Sequence, residues 1–277
     1  MRQLIFFLCL GMVYLAKAQN QSLRPSLDAY IAQLPSGVRV NLQVESLQGE
    51  VYASRNADEA VPSASVIKIP ILVELMEQVK GGILHLEDNY TLLATDKTGG
   101  SGIIAKYADG TTMTVNELAR LMMVASDNTA TNILIRKVGQ KAVNKQMKQL
   151  GFPSLQLNRV MMDTAAVARG IDNYVTTRDI NALLRHIYNH KVANKALCER
   201  MMNFLLQNED RTTLPRFIPQ TVRVAHKTGG LTYVRGDAGI VFTATPFVIS
   251  VFVRGIETEK AEKIIAEIGE ICYKLLK

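Results

Sequence analysis

Tryptophan is absent from this 277-residue chain, and aromatic residues make up only 6% of it. Leu, Ile, Val, Ala and Met must therefore do most of the packing. With 48% hydrophobic residues, the chain can bury the core of one large domain or of two closely packed lobes. The sequence also lacks any block of lysine and arginine with interleaved aromatics. Nucleic acid is therefore not expected as a partner, although the formal net charge is +7.

Long hydrophobic runs are missing too, except at the start of the chain. Arg2 precedes a short apolar run over residues 4–15, and small residues follow at Ala16-Lys17-Ala18. This three-part pattern is typical of a secretory signal peptide, so residues 1–18 are predicted to be cleaved and the mature chain to be periplasmic or secreted. An uncleaved anchor is the alternative, but the run falls short of the roughly 20 residues that span a bilayer. Cleavage would lower the net charge from +7 to +5, since Arg2 and Lys17 are the only charged residues removed.

Cysteine is scarce, with three residues in the whole chain. Cys9 lies inside the apolar run rather than after it, which argues against a lipid-modified cysteine. Cys198 and Cys272 remain after cleavage, and both lie in helical patterns. An exported chain can hold a disulfide, and the sequence leaves open whether the two meet. Two unpaired, buried thiols are the arrangement that the patterns favour.

Apolar and polar residues alternate at both ends of the chain, which predicts strands there. The predicted strands cover residues 38–45, 51–53, 222–228, 238–243 and 247–254. A short amphipathic helix over residues 25–34 precedes the first strand, and a longer one over residues 258–276 follows the last. Because the strands are separated by turns, the sequence predicts one antiparallel sheet of about five strands built from both chain ends.

The middle of the chain carries helical patterns instead. The predicted helices cover residues 65–79, 115–125, 128–138, 141–150, 177–190 and 194–205. The first is apolar nearly all round, which is typical of a buried helix, and Pro70 predicts a local distortion in it. The pattern therefore favours an α+β fold with helices flanking the sheet and an inserted all-helical lobe. Residues 19–277 are predicted to form one domain, with an α/β lobe over about 19–60 and 208–277 and the helical lobe over about 61–207.

A Ser-x-x-Lys sequence stands at the start of that buried helix, at Ser65 and Lys68. Residues three apart share a helix face, so the hydroxyl and the amine can approach each other. A lysine among apolar residues loses its proton more easily, and a serine needs such a base nearby to act as a nucleophile. The alternative is an N-cap serine with a surface lysine, which the apolar residues around Lys68 disfavour.

Two further polar clusters follow along the chain. Ser126-Asp127-Asn128 lies at a helix junction, where such residues serve as caps, but Ser126 is also a candidate proton relay and Asn128 a candidate ligand for a substrate amide. Lys227-Thr228-Gly229-Gly230 lies on a late strand, where a cation, a hydroxyl and free amides can bind a carboxylate and an oxyanion. The same tetrapeptide begins at Lys97, but no strand pattern surrounds it there.

These three motifs, in this order, resemble those of class A β-lactamases and penicillin-binding proteins, and the resemblance covers the whole mature chain. It implies a three-layer α/β/α architecture and a reaction in which Ser65 attacks the carbonyl of a β-lactam or of a peptidoglycan-like acyl-D-Ala-D-Ala substrate. Lys68 would take or relay the serine proton, and Ser126 would pass a proton to the leaving nitrogen.

The resemblance also implies the binding residues. The backbone N–H groups of Ser65 and Gly230 would form the oxyanion hole next to Gly229. The groups that would hold the substrate amide and carboxylate are Asn128, Lys227 and Thr228. Arg235, a few residues further on, is a candidate for an additional carboxylate anchor.

One departure from the family pattern concerns the release of the acyl group. Class A enzymes carry a Glu-x-x-x-Asn sequence on a loop, and this glutamate activates the hydrolytic water. The matching stretch here, residues 158–173, contains no glutamate, and Asp163 and Asp172 are its only acids. Asp163 is the candidate replacement base, and a capping aspartate is the alternative. The departure leaves acylation untouched but leaves two functions open: a β-lactamase, or a penicillin-binding or D-Ala-D-Ala peptidase-like protein that deacylates slowly.

Other readings have less support. A lipase-type Gly-x-Ser-x-Gly fails at its last position around Ser101, and His186 and His190 lack the glutamate and third ligand of a zinc enzyme. A catalytically inactive fold is disfavoured because all three motifs are intact. The sequence implies no metal or organic cofactor, a small-molecule substrate as the partner, and a monomer with no membrane span in the mature chain.

Overall fold

The structure, a computed structural model, describes residues 22–277, so the predicted signal peptide lies outside the described residues. The strands in chain order are β1 (Arg39–Ser46), β2 (Val51–Arg55), β3 (Val61–Pro62), β4 (Asn89–Thr91), β5 (Thr112–Thr114), β6 (Tyr174–Val175), β7 (Arg223–Leu231), β8 (Val234–Phe242) and β9 (Phe247–Arg254). Five of them form one antiparallel sheet in the order β2-β1-β9-β8-β7. The prediction of a sheet built from both chain ends is therefore confirmed.

The helices lie on both sides of this sheet. In chain order they are α1 (22–32), α2 (Lys68–Lys80), α3 (Val115–Val124), α4 (Asn128–Val138), α5 (Gln140–Gln149), α6 (Thr164–Ala168), α7 (Thr177–Tyr188), α8 (Lys195–Leu206) and α9 (Thr258–Leu276). Most begin and end close to the predicted residues, because each has an apolar face with the helical period. The short helix α6 was not predicted.

Alternating residues of the sheet face two separate cores, as the two-residue period of a strand requires. Ile249 and Val251 of β9 pack with α1 and α9, whereas Val248 and Phe252 pack with the helical lobe. The buried Ser250 bonds to Asn181 of α7. The sheet is thus the middle layer of a three-layer α/β/α architecture, as predicted.

The predicted helix over residues 65–79 is divided in two by the structure. Residues Ala64–Ile67 form a 3-10 turn, and regular α-helix begins only at Lys68. An α-helix through this segment would need an N–H of residue 70 to bond to the carbonyl of Val66, and Pro70 has none. As the third residue of α2, Pro70 lies in the first turn, where N–H groups have no partner within the helix.

The hairpin of β7 and β8 is longer than predicted. The sequence predicted strands over residues 222–228 and 238–243, but the pairing continues through Gly230↔Arg235 to Leu231↔Val234 around a two-residue turn. Because glycine has a low strand propensity, the sequence pattern did not predict that the strand continues through Gly229 and Gly230. The extension matters because it carries the second half of the Lys-Thr-Gly-Gly motif into the sheet.

Both cysteines of the described chain are unpaired and buried, as predicted. Cys198 belongs to the core of the helical lobe and Cys272 to the core between the sheet and α9, so the two lie on opposite sides of the sheet. Among residues 22–277, no helix combines the length and the apolar character needed to cross a membrane.

Candidate active site

Ser65 lies in the 3-10 turn directly before α2. Such a turn has three residues per turn, so the side chains of Ser65 and Lys68 project from the same side. Ala64 has a φ of +46°, in the left-handed region that residues with a side chain rarely adopt. Ala64 and Val66 are buried whereas Ser65 is half-buried, which leaves the Ser65 hydroxyl as the accessible group of the turn.

Lys68 is completely buried, with an exposed fraction of 0%. Its Nζ donates to the carbonyl oxygen of Ser126 at 2.8 Å and to Oδ1 of Asn128 at 3.0 Å, and it lies 3.0 Å from Oγ of Ser126. None of the hydrogen bonds among the described residues joins this amine to Ser65. The amine of Lys68 is thus hydrogen-bonded to the Ser-Asp-Asn segment. Its proximity to Ser65 follows from the i, i+3 spacing of the two residues.

The surroundings of Lys68 favour its neutral form. Burial lowers the pKa of Lys68 well below its ordinary value, and the positive charge of Lys227 lowers it further against the attraction of Asp127. A larger share of the amine is therefore unprotonated and can accept a proton. This is the property that a base beside a serine nucleophile needs.

The Ser-Asp-Asn segment serves as both a helix cap and a wall of the site. Asp127 is the N-cap of α4, and its Oδ1 accepts from the N–H of Ala130 at 2.8 Å. Ser126, directly before it, has a φ of +53°, a strained conformation that points its carbonyl and hydroxyl oxygens at Lys68. Asn128, the first residue of α4, faces the same amine.

Strand β7 packs directly against the turn that carries Ser65. A Cβ added at Gly229 would lie 2.8 Å from the carbonyl oxygen of Ser63 and 2.9 Å from the nitrogen of Ser65, closer than real Cβ atoms come. Only glycine therefore fits at this position. The close contact brings Thr228 and Gly230 beside the serine.

Lys227 is the second fully buried amine of the site, and its Nζ donates to the carbonyl oxygen of Thr228 at 3.0 Å. Burial lowers the pKa of Lys227 to about 8, although the carboxylates of Asp237 and Asp210 act in the opposite direction. Lys227 is thus cationic at neutral pH and loses its charge under mildly alkaline conditions.

Two cavities meet at Ser65. The polar cavity has a volume of about 370 Å³, and its walls include Ser65, Ser126, Lys227, Thr228, Gly229, Gly230, Arg235, Glu209 and Asp210. The loop cavity has a volume of about 670 Å³, and its walls include Ser65, Asn128, Met161, Met162, Asp163, Val167, Gly230, Leu231 and Tyr233. Ser65, Ser101 and Gly230 line both cavities. The structure thus brings the predicted site residues of all three motifs to one place.

Arg235 lies in the polar cavity, where its guanidinium is already paired. Its Nη2 donates to Asp210 at 2.6 Å and to Thr212 at 3.0 Å, and its Nε lies 3.0 Å from Glu262. Although burial opposes ionisation of Asp210, the attraction of Arg235 holds the pKa of this carboxyl well below its usual range. The predicted anchor is therefore near the serine but shares its charge with two carboxylates.

The 158–173 loop supplies one wall of the loop cavity. Its Met161 is buried, and both its backbone N–H and its carbonyl are bonded to the side chain of Asn132. Asp163 is the N-cap of α6, with Oδ1 accepting from Ala166 at 2.8 Å. The capping role is therefore present, and the same carboxylate lines the cavity that contains Ser65.

Asp172, the other acid of this loop, is buried and fully engaged. Arg159 donates to its Oδ1 at 2.9 Å, the N–H of Asn173 donates to the same oxygen at 2.8 Å, and the hydroxyl of Tyr233 donates to Oδ2 at 2.6 Å. These bonds tie the loop to the β7–β8 hairpin. Of the two acids considered from sequence, Asp163 alone lines a cavity with Ser65.

Sequence reasoning missed the loop over residues 97–104. It set this segment aside as a chance copy of the strand tetrapeptide, but the loop braces the Ser-Asp-Asn segment. Asn128 donates through its backbone to Ser101 and through its side chain to Gly99, and Asp127 accepts from the N–H groups of Ile103 and Ile104. In each of these hydrogen bonds the loop contributes a backbone group. The residue types in the loop therefore do not predict them.

The family model of the β-lactamase enzyme family matches residues 22–276 of this chain. Among curated proteins, the chain is 28% identical to β-lactamase VEB-1 of Pseudomonas aeruginosa, over 79% of each chain. Among solved structures, it resembles a β-lactamase of Sphaerobacter thermophilus, with 29% identity, a TM-score of 0.82, and 93% of this chain and 96% of that one covered. It shares its fold with PBP-A at 24% identity and a TM-score of 0.83, over 91% of this chain and 95% of that one.

Proposed function

The chain belongs to the β-lactamase enzyme family, and we propose that it is a serine β-lactamase that opens the β-lactam ring through an acyl-enzyme on Ser65. The observation that carries this proposal is the meeting of three motifs, distant in sequence, around Ser65. Lys68 donates a hydrogen bond to the carbonyl oxygen of Ser126, and Lys227 lines the polar cavity together with Ser65. The curated relatives, such as VEB-1, support the same activity.

Acylation follows from these positions. The Ser65 oxygen attacks the lactam carbonyl carbon while its proton passes to the neutral amine of Lys68. Ser126 gives its hydroxyl proton to the lactam nitrogen as the carbon–nitrogen bond breaks, and Lys68 returns a proton to Ser126 over the 3.0 Å between them. The product is a Ser65 ester with the ring opened, and Lys68 is neutral again.

Binding is divided between charges and backbone donors. The N–H groups of Ser65 and Gly230 are the proposed oxyanion hole, and preorganised donors of this kind provide a large part of catalysis in acyl transfer. Lys227 and Thr228 hold the substrate carboxylate, whereas the charge of Arg235 is shared with Asp210 and Glu262. Asn128 holds the amide of the acyl side chain.

The alternative function, a penicillin-binding or peptidase-like protein that deacylates slowly, is favoured by one observation. The 158–173 loop contains no glutamate, and the buried Met161, which cannot activate water, lines the loop cavity together with Ser65. The deciding experiment mixes the purified mature protein with a chromogenic cephalosporin and follows absorbance together with intact mass. Sustained turnover supports the β-lactamase. A burst of one equivalent with a persistent mass adduct supports the alternative, and neither turnover nor adduct overturns both.

Asp163 is the proposed base for deacylation, so its replacement should slow only the second half of the reaction. An asparagine side chain keeps an oxygen that can cap α6 but cannot accept a proton from water. We expect the Asp163→Asn variant to deacylate about 10²-fold more slowly, at the low end of the usual contribution of a general base, and to accumulate acyl-enzyme. Stopped-flow acylation should be unchanged. Turnover at the wild-type rate would show that another group activates the water.

The pH dependence should reveal the charge of Lys227. Because its pKa is lowered to about 8 and the cation is the form that holds the substrate carboxylate, kcat/KM should fall as the pH rises through about 8. In Lys227→Arg the side chain stays charged at any pH used. The fall in kcat/KM on the alkaline side of the profile should therefore shift to higher pH, whatever the absolute activity of the variant. An unchanged limb near pH 8 in the variant would assign it to a different group.

Export is proposed on the sequence pattern alone, since residues 1–18 lie outside the described residues. The apolar run and Ala16-Lys17-Ala18 support cleavage before Gln19 and a periplasmic or secreted enzyme. The intact mass of the exported protein tests the cleavage point: a chain that retains Met1 would contradict it.

A further inference from the structure

The polar cavity beside Ser65 is lined by two cations and two carboxylates. Lys227 and Arg235 supply the positive charges, and Glu209 and Asp210 supply the negative ones. A site that binds an anion is expected to carry an excess of positive charge, because each carboxylate in it repels the ligand. Within a cavity of about 370 Å³, the carboxylate of a β-lactam therefore has to share the space with carboxylates of the protein itself.

Asp210 is bonded to Arg235 as a substrate carboxylate would be. Its Oδ2 accepts from Nη2 of Arg235 at 2.6 Å, and its Oδ1 accepts from the N–H of Thr212 at 3.0 Å and from the hydroxyl of Thr212 at 2.7 Å. Although burial opposes ionisation, the attraction of Arg235 and the bonds from Thr212 hold the pKa of Asp210 well below its usual range. The carboxylate is thus charged at neutral pH and occupies one edge of the guanidinium.

The Arg235 side chain is also held by a carboxylate that does not line the cavity. Its Nε lies 3.0 Å from Glu262 of α9, and only 11% of the side chain is exposed. Its Nη1 lies 3.0 Å from the position that a Cβ would take on Gly230, so the guanidinium lies against this residue of the proposed oxyanion hole. Glu262 therefore keeps Arg235 beside the site, whereas Asp210 binds the Nη2 group that faces a carboxylate inside the cavity.

We propose that Asp210 is a specificity-determining residue that acts as a resident carboxylate and competes with the carboxylate of the substrate for Arg235. An anionic β-lactam gains the guanidinium only when Asp210 releases Nη2, so the enzyme uses less than the full charge of its two cations. A β-lactam without a carboxylate does not compete with Asp210. The proposal rests on the proposed function, since it concerns the same reaction at Ser65.

The test compares benzylpenicillin with its methyl ester, which shares the ring system and the acyl substituent but lacks the negative charge. The measured quantity is kcat/KM, or the second-order rate constant of adduct formation if deacylation is slow. Because Asp210 also raises the pKa of Lys227, the assays are run well below that pKa of about 8, where the lysine stays charged. In Asp210→Asn, the remaining oxygen can still accept from Thr212, whereas the amide nitrogen cannot accept from the guanidinium.

We expect Asp210→Asn to raise the ratio of the benzylpenicillin constant to the ester constant about 3- to 10-fold, through benzylpenicillin alone, as for a partly exposed charged pair. Both constants come from one preparation, so the ratio does not depend on the folded fraction of the variant. Arg235→Gln should lower the ratio. Adding Asp210→Asn to Arg235→Gln should then change the ratio by less than about twofold, because the competitor has no guanidinium to occupy.

Glu209→Gln is the matched control, because it removes a negative charge from the wall of the same cavity. Among residues 22–277 the ion pairs of Arg235 are with Asp210 and Glu262, so Glu209→Gln removes only screened repulsion. It should change the ratio by less than about twofold. A rise as large as that in Asp210→Asn would assign the effect to the net charge of the cavity and overturn the proposal.

Two further results would also overturn the competition by Asp210. One is a ratio in Asp210→Asn that stays unchanged or falls, since a fall would mean that Asp210 helps Arg235 to bind the substrate. The other is an equal rise of the ratio in the Arg235→Gln background. If the wild type reacts with neither substrate, the proposed function itself fails, so the two failures are distinguishable.

Discussion

Replacement of Ser65 by alanine is expected to abolish both the covalent adduct and turnover with any β-lactam, a loss of at least about 10⁴-fold in kcat/KM. Among residues 22–277, the structure offers no second serine in the same position. The hydroxyl of Ser126 lies 3.0 Å from the Lys68 amine. The backbone carbonyl of Ser101 accepts a hydrogen bond from the N–H of Asn128. Stopped-flow kinetics and intact mass should both report the loss.

Ser101→Ala is the control for this prediction. Ser101 lines both cavities, as Ser65 does, and its removal takes away a hydroxyl from the same space. The variant should still form the one-equivalent adduct. An adduct of full stoichiometry in Ser65→Ala would contradict the assignment of the nucleophile.

Replacement of Lys68 by methionine should slow acylation by about 10³-fold or more, within the range that a general base contributes. Methionine fills a similar volume among buried neighbours, so the loss reports the amine rather than a cavity. The side chains of Ser126 and Asn128 lose the hydrogen bonds that Lys68 makes to them. Lys97→Ala, at the lysine of the copied tetrapeptide, is the control and should retain acylation.

The pH profile separates a proton acceptor from a structural lysine. The neutral amine is the active form, so wild-type acylation should fall as the pH decreases through the lowered pKa of Lys68. Residual acylation in Lys68→Met should lack this acidic limb. A variant that keeps both the rate and the limb would show that another group takes the serine proton.

Much of the fold could be predicted because its elements carry local signals. Helix α4 begins after a capping aspartate and ends before Gly139, and β9 is rich in β-branched and aromatic residues, so both were placed correctly from sequence. The end of β7 was not, because Gly229 and Gly230 lack strand propensity. Gly229 is required because the backbone of the Ser65 turn packs against it, a contact between distant parts of the chain that the local sequence does not predict.

The residues of the candidate site were predicted from sequence motifs. Motifs identify residues but not the contacts between them. Residue types and order named Ser65, Lys68 and Lys227, but not the hydrogen bonds of Lys68, which join residues far apart in the chain. The spacing that singled out Arg235 carried no information on Asp210 and Glu262, which pair with it. Contacts of this kind depend on tertiary packing and can be read only from the structure.

The central claim, that Ser65 is the acylated residue, is tested most directly by locating the adduct. The protein is quenched in acid after brief reaction with benzylpenicillin, digested with trypsin and analysed by tandem mass spectrometry. The three serines of the site fall in different tryptic peptides, covering residues 56–68, 98–106 and 121–136. The account predicts the penicilloyl mass on peptide 56–68, with fragment ions that assign it to Ser65 rather than to the buried Ser63. An adduct on either of the other two peptides would contradict it.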